Sequence, residues 1–196
     1  PEQIEMMLGV TRAFNNSTHL MVEGGTGVGK SLAYLLPAIL YSHRNGKKVV
    51  VSTNTINLQE QLVKKDIPQL RSVLDKSGFL PSEQFQATLL KGRANYLCMK
   101  RWIHMSQSPN LSPAEARLMA KTLVWLQTTQ TGDKTELNLV YGDTILWSRL
   151  SAQGATECGG SSPIPCFLDF ARSKAANSNV VVVNHALLLS DLVQGG

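Results

Sequence analysis

Two rhythms of apolar residues alternate along the 196-residue chain. Lys48-Val49-Val50-Val51-Ser52 and Asn179-Val180-Val181-Val182-Val183 are unbroken β-branched runs, as expected of strands buried on both faces of a parallel sheet. Phe85 to Leu90 reads as a third strand, and His19-Leu20-Met21-Val22 as a short buried one. Helical spacing fills the gaps, loosely over Pro1 to Phe14, then over Leu32 to Tyr41, Ile56 to Lys64 behind a Thr55 N-cap, and Pro68 to Leu74. Asn15-Asn16-Ser17, the Asn-Gly turn within His43 to Lys47, and Ser77-Gly78 punctuate these elements. Strand–helix alternation of this kind predicts an α/β fold, a parallel sheet with helices on both faces.

The texture changes at Lys91. Lys91-Gly92-Arg93-Ala94-Asn95-Tyr96-Leu97-Cys98 gathers cations, an aromatic ring and a thiol. Ser112 to Thr128 is strongly helical, opened by Ser112-Pro113-Ala114-Glu115, an N-cap with proline in the first turn. Thr128 to Asp133 is a polar loop, and Leu146 to Leu150 a short element. Cys158-Gly159-Gly160 and Pro163-Ile164-Pro165-Cys166 form a Gly/Pro-rich knuckle before a helix over Phe167 to Ala176. The valine strand at 180–183 and a helix from Ala186 to Val193 close the chain. Residues 91–176 therefore read as a mostly helical, cysteine-bearing insertion between sheet-forming parts at 1–90 and 177–196.

Glu23-Gly24-Gly25-Thr26-Gly27-Val28-Gly29-Lys30-Ser31 fits the phosphate-binding pattern G-x-x-x-x-G-K-[ST] without a gap. The apolar run before it and the helix after it supply the expected context. Its glycines let the backbone bare several N–H groups, and the positive end of the following helix completes an anion site. Gly25, Thr26, Gly27, Val28 and Gly29 would cradle phosphate, Lys30 would reach the β- and γ-phosphates, and Ser31 would hold Mg²⁺. A dinucleotide fingerprint fails on spacing, because Lys30 falls where its third glycine should be. ATP bound with Mg²⁺ is the expectation. Gln3, some twenty residues upstream, carries an amide suited to an adenine edge or simply to solvent. Thr53, Asn54 and Thr55 offer a phosphate contact or a plain helix cap.

Composition narrows the partners. A net charge of +5 and a pI near 9.2 favour a polyanion or describe a solvated basic surface. No run approaches the ~18 apolar residues that span a bilayer, so no membrane partner is expected. There is no secretory signal, and three cysteines make no disulfide framework, which fits a cytoplasmic setting. Beginning at Pro1 rather than Met, the sequence reads as a piece of a longer chain.

Taken together, several of these stretches resemble one family, the DinG/XPD-like, iron–sulfur-containing superfamily 2 DNA helicases, in their bacterial DinG-like branch. Gln3 with its neighbours looks like the Q-motif, Glu23 to Ser31 like motif I, and Ser52-Thr53-Asn54-Thr55 with Leu58 and Gln59 like motif Ia on the DNA track. Lys91 to Cys98 is similar to the entry into the family's cluster domain. Cys166-Phe167, Ala171-Arg172 and Val182-Val183-Asn184-His185-Ala186-Leu187-Leu188 complete the match. The resemblance implies a RecA-like P-loop domain, interrupted by a [4Fe–4S] region and helical arch, within an ATP-dependent 5′-to-3′ helicase of DNA repair or replication. It implies single-stranded or forked DNA as partner, contacted by Thr53, Asn54, Thr55, Lys91, Arg93 and Tyr96, with Lys100 and Arg101 beside the same path and Trp102 a second stacking candidate; Tyr96 and Trp102 read equally well as core residues. A linked exonuclease domain occurs in one form of the family.

Two departures stand out. A four-thiolate cluster needs four cysteines, and this chain offers Cys98, Cys158 and Cys166. Simple burial, or zinc completed by His104 or His185, are the other readings of those cysteines. The strand at 180–183 ends in Asn184-His185 without the acidic pair of a DEAH box. Hydrolysis needs a Walker-B carboxylate and an arginine finger, so residues 1–196 alone are expected to bind ATP but scarcely turn it over. A P-loop kinase and a nucleotide-gated single-strand-binding module are the rival functions.

Overall fold

The computed structural model describes residues 2–154 and 164–193. The chain forms two compact units, one from the residues up to Leu90 and from Lys174 onward, the other from Lys91 to Ser173.

The first unit is built on a three-stranded parallel sheet of order β1-β3-β2, with β1 at Val49–Thr53, β2 at Ala87–Leu89 and β3 at Val180–Asn184. β3 lies in the middle, and its four valines are buried on both faces, as an unbroken β-branched run requires. On one face Val180 and Val182 join Val49, Val51, Leu35, Ile39, Leu62 and Phe85. On the other, Val181 and Val183 pack with Ala175, Leu187 and Leu188. The helices are α1 (Glu2–Asn16), α2 (Lys30–Asn45), α3 (Ile56–Gln61), α4 (Ile67–Lys76) and, at the end of the chain, α9 (His185–Val193). Phe14 of α1 stacks on Tyr41 of α2 at 4.7 Å, which seats α1 against the phosphate-loop helix.

Two expectations change here. The run His19–Val22 is not a strand: Met21 is 99% exposed, and Leu20 and Val22 are exposed beside it. Among the described residues β1 and β2 pair only with β3, and the run joins neither of their outer edges, so it lacks the partner backbone a strand needs. The helix expected over Ile56 to Lys64 also runs further, through a π turn at Leu62–Asp66 into α4. Pro68 accounts for the wide turn, since it has no N–H to donate and its ring would meet the carbonyl four residues back.

The second unit is helical: α5 (Met99–Ser106), α6 (Pro113–Leu126), α7 (Tyr141–Leu150) and most of α8 (Phe167–Ala176). Leu97, Met105, Leu118, Trp125, Trp147 and Leu150 form its core. Each indole N–H is satisfied: Trp102 donates to Thr122, Trp125 to Glu136, and Trp147 to the Ala94 carbonyl. Ser112 and Glu115 close a reciprocal capping box that starts α6.

Candidate functional site

The glycine-rich loop ends at Gly29, which is both the N-cap of α2 and left-handed at φ 77°. Gly27 is left-handed too, at φ 84°, a conformation that costs other residues about 1–2 kcal/mol. No side chain caps α2, and no acidic residue sits in its first turn. The first-turn N–H groups and the positive helix end are therefore not met by an internal carboxylate. Lys30 arcs back over the loop, its Nζ donating to the carbonyls of Gly24 (2.8 Å) and Gly25 (2.7 Å). That ammonium is exposed, as are Gly25, Thr26 and Gly27. Ser31 hydrogen-bonds the Tyr34 phenol; burial pushes the Tyr34 pKa up, and this bond partly offsets it.

Gln3 reaches the same loop from α1. Its Nε2 donates to the Gly29 carbonyl at 3.1 Å across 26 residues of chain. A Cβ on Gly29 would lie 2.2 Å from that nitrogen and push the Gln3 amide aside, while the left-handed backbone is what calls for glycine there. Beside the contact, α1 and the loop enclose a cavity of about 620 Å³, lined by Leu8, Gly9, Arg12, Met21, Gly25 and Val28 among others. That volume lies within the range of small-ligand pockets, ~300–1,000 Å³.

At the end of β1 the hydroxyls are already engaged. Thr53 is buried and donates to the Thr55 carbonyl at 3.1 Å, while Thr55 Oγ1 accepts the Leu58 N–H at 3.2 Å as the cap of α3. Asn54 and Thr55 are exposed. Ser52 Oγ lies 2.7 Å from His185 Nδ1, which joins the ends of β1 and β3. Gln59 is fully buried, and among the described residues neither of its amide atoms has a hydrogen-bond partner.

In the second unit, two residues expected on a DNA track are interior. Lys91 is 3% exposed, its Nζ 2.6 Å from Asp133 Oδ2 and donating to Thr135 Oγ1 at 3.0 Å. Tyr96 is likewise 3% exposed, its hydroxyl accepting the Lys91 N–H at 3.0 Å. Burial pushes its pKa up to about 12 against the Lys91 hydrogen bond, and Asp133 adds to the rise. Neither side chain presents a surface to a base or a phosphate. Trp102 packs against the core and is tied to Thr122. Arg93 is exposed on a 3₁₀ turn, Arg93–Asn95. Asp133 was not legible as a partner, because one acid in a polar loop carries no mark of a lysine so far upstream.

Cys98 and Cys166, distant in sequence, meet in one small cluster with Tyr96, Ala152 and Leu168. Cys158 lies outside the described residues. Among the described residues no three His, Cys, Asp or Glu side chains converge on a point that would hold a metal. With three cysteines in the chain, the donor set does not fit a four-thiolate cluster.

A phosphate-type loop with two left-handed glycines, running into an uncapped helix beside a parallel sheet, defines a RecA-like P-loop α/β domain. The DEAD/DEAH box helicase family model matches residues 4–95. Over 97% of its length the chain is 41% identical to the "ATP-dependent helicase DinG" of Mycobacterium tuberculosis and 36% identical to the "ATP-dependent DNA helicase YoaA" of Haemophilus influenzae. Over 96% it is 34% identical to the "3'-5' exonuclease DinG" of Bacillus subtilis. The chain belongs to the DinG-like branch of the DEAD/DEAH box helicases. It spans 31%, 29% and 20% of the lengths of those three relatives.

Proposed function

We propose that this chain is the nucleotide-binding part of an ATP-dependent DNA helicase, residues 1–90 and 177–196 forming its first motor domain and 91–176 an insertion. The observation that carries the reading is the uncapped start of α2, with Lys30 poised over the loop and no acid in the first turn. The amides of Gly25 to Gly29 cradle the triphosphate, Lys30 moves from the loop carbonyls to the phosphates, and the Ser31 hydroxyl ligates Mg²⁺. Adenine rests against α1, where the Gln3 amide reads its edge. Together Lys30 and Ser31 are the catalytic contribution of this segment to ATP hydrolysis.

Asn54 and Thr55, with backbone N–H groups near them, and Arg93 take phosphates of single-stranded or forked DNA; Lys91, Tyr96 and the Thr53 hydroxyl serve the fold instead. The reading extends to 5′-to-3′ unwinding in cytoplasmic DNA repair or replication. It extends also to an exonuclease domain in the full-length chain, for which the printed name of the Bacillus subtilis relative is the support. Cys98, Cys158 and Cys166 retain an iron–sulfur reading only if a donor other than cysteine completes the set. No helix among the described residues is long and apolar enough to cross a membrane.

The test is Lys30→Ala in the full-length protein: DNA-stimulated ATP hydrolysis should be abolished, and normal turnover would overturn the reading. Iron and sulfide analysis of anaerobically purified protein tests the cluster separately.

A further inference from the structure

The Ser31 hydroxyl finds its partner on its own helix. Tyr34 stands three residues further along α2, on the same face as Ser31. A long side chain in a helix leans back toward the N-terminus, which carries the Tyr34 phenol over the turn that holds Ser31. There the Ser31 hydroxyl donates to the phenol oxygen. The ring itself is half-buried and packs against the sheet core that contains Leu35, Ile39 and Val49. Phenylalanine would make those apolar contacts equally well, so packing does not account for the oxygen.

A serine hydroxyl has one proton and two lone pairs, and it rotates to suit its surroundings. Inside a helix it commonly turns the proton back onto a carbonyl of the preceding turn. Here the proton goes forward to Tyr34 instead. What remains on Ser31 Oγ is acceptor only, and an oxygen lone pair is what a hard divalent cation takes as a ligand. A hydroxyl without such a partner would have to give up its rotation before it could ligate. Holding it beforehand is the usual work of a residue behind a metal ligand.

We infer that Tyr34 is a positioning residue: by holding the Ser31 proton, its phenol oxygen leaves the Ser31 lone pairs to the Mg²⁺ that accompanies the triphosphate. This role rests on the reading of Ser31 as the Mg²⁺ ligand and is exercised through Ser31 alone.

ATP affinity of the full-length protein, measured by calorimetry in Mg²⁺ and again in excess EDTA, tests the role in wild type, Tyr34→Phe, Ser31→Ala and the double variant. In wild type Mg²⁺ should tighten binding, and Ser31→Ala should remove most of that gain. Tyr34→Phe keeps the ring and loses the acceptor. It should bind ATP in EDTA as wild type does and shrink the Mg²⁺ gain about 3- to 10-fold, the worth of one hydrogen bond. In the Ser31→Ala background the same change should cost nothing further. A Mg²⁺ gain in Tyr34→Phe equal to that of wild type would overturn the assignment. So would an equal loss with and without Mg²⁺, which a merely packed Tyr34 gives, or a loss of the gain that persists once Ser31 is alanine. Wild type that binds no ATP, or whose Mg²⁺ gain survives Ser31→Ala, would sink the reading of the loop itself. A gain that needs Ser31 but ignores Tyr34 sinks only the positioning role.

Discussion

Lys30 and Lys91 both sit in glycine-containing, motif-like stretches, yet they have opposite fates. Lys30 is exposed, held among the described residues by two carbonyls of its own loop, and the first turn of the helix behind it holds no acid. Lys91 is buried against Asp133, and its backbone N–H is bound by the Tyr96 phenol. Polar residues inside a motif thus divide into those whose partner must come from outside and those whose partner is already in the fold. Side-chain chemistry alone does not tell them apart; partner accounting does.

The largest effect should come from Lys91→Ala, which strands the Asp133 carboxylate. A loss of about 3–5 kcal/mol in the second unit is expected by denaturant titration, and a near-neutral result would mean the pair is open to water. Lys30→Ala should do the reverse, leaving stability within about 0.5 kcal/mol while weakening ATP binding by about 1.5–3 kcal/mol, roughly 10- to 100-fold by calorimetry. If both lysines behaved alike, the contrast would fail.

Tyr96→Phe comes next, at about 1–2 kcal/mol for the unsatisfied Lys91 N–H. It also sharpens the comparison through pH. The folded Tyr96 pKa, about 12, lies above the ordinary 10.0, so its contribution is whole below pH 10. As pH rises from 10 towards 12 the unfolded chain ionises first and stability falls, a decline that should flatten in the phenylalanine variant. Smallest is Gln3→Ala, worth about 0.5–1 kcal/mol to the contact between α1 and the loop. Its diagnostic is selective: ATP binding should weaken while tripolyphosphate binding, which uses no base, stays as in wild type.

Where structure follows from local signals, the sequence was legible. Ser112-Pro113-Ala114-Glu115 becomes a reciprocal capping box, Thr55 caps α3, and α8 has the bounds that its spacing implies. The valine runs become a doubly buried central strand and its neighbour. Pairing is different, because it depends on what lies alongside. Apolar content made His19–Val22 look like a strand, but among the described residues the run pairs with no strand of the sheet. α5 escaped notice because Met99-Lys100-Arg101-Trp102 carries no side-chain cap. At the candidate site the loop itself was legible from its glycines, whereas the bond between Gln3 and Gly29 was present only as two separate possibilities. The burial of Lys91 and Tyr96 required Asp133, which nothing local announces.

The shared carbonyl at Gly29 has one more consequence. It accepts both the Gln3 amide and the Ala33 N–H that starts α2, so one oxygen ties α1 to the first turn of the phosphate loop's helix, while the Phe14–Tyr41 stack holds the two together further along. Any ligand that reorients that peptide must slacken or tighten α1 at the same moment. Amide exchange rates along α1 would therefore register occupancy of the loop, making that outer helix a gauge of a binding event at its tip.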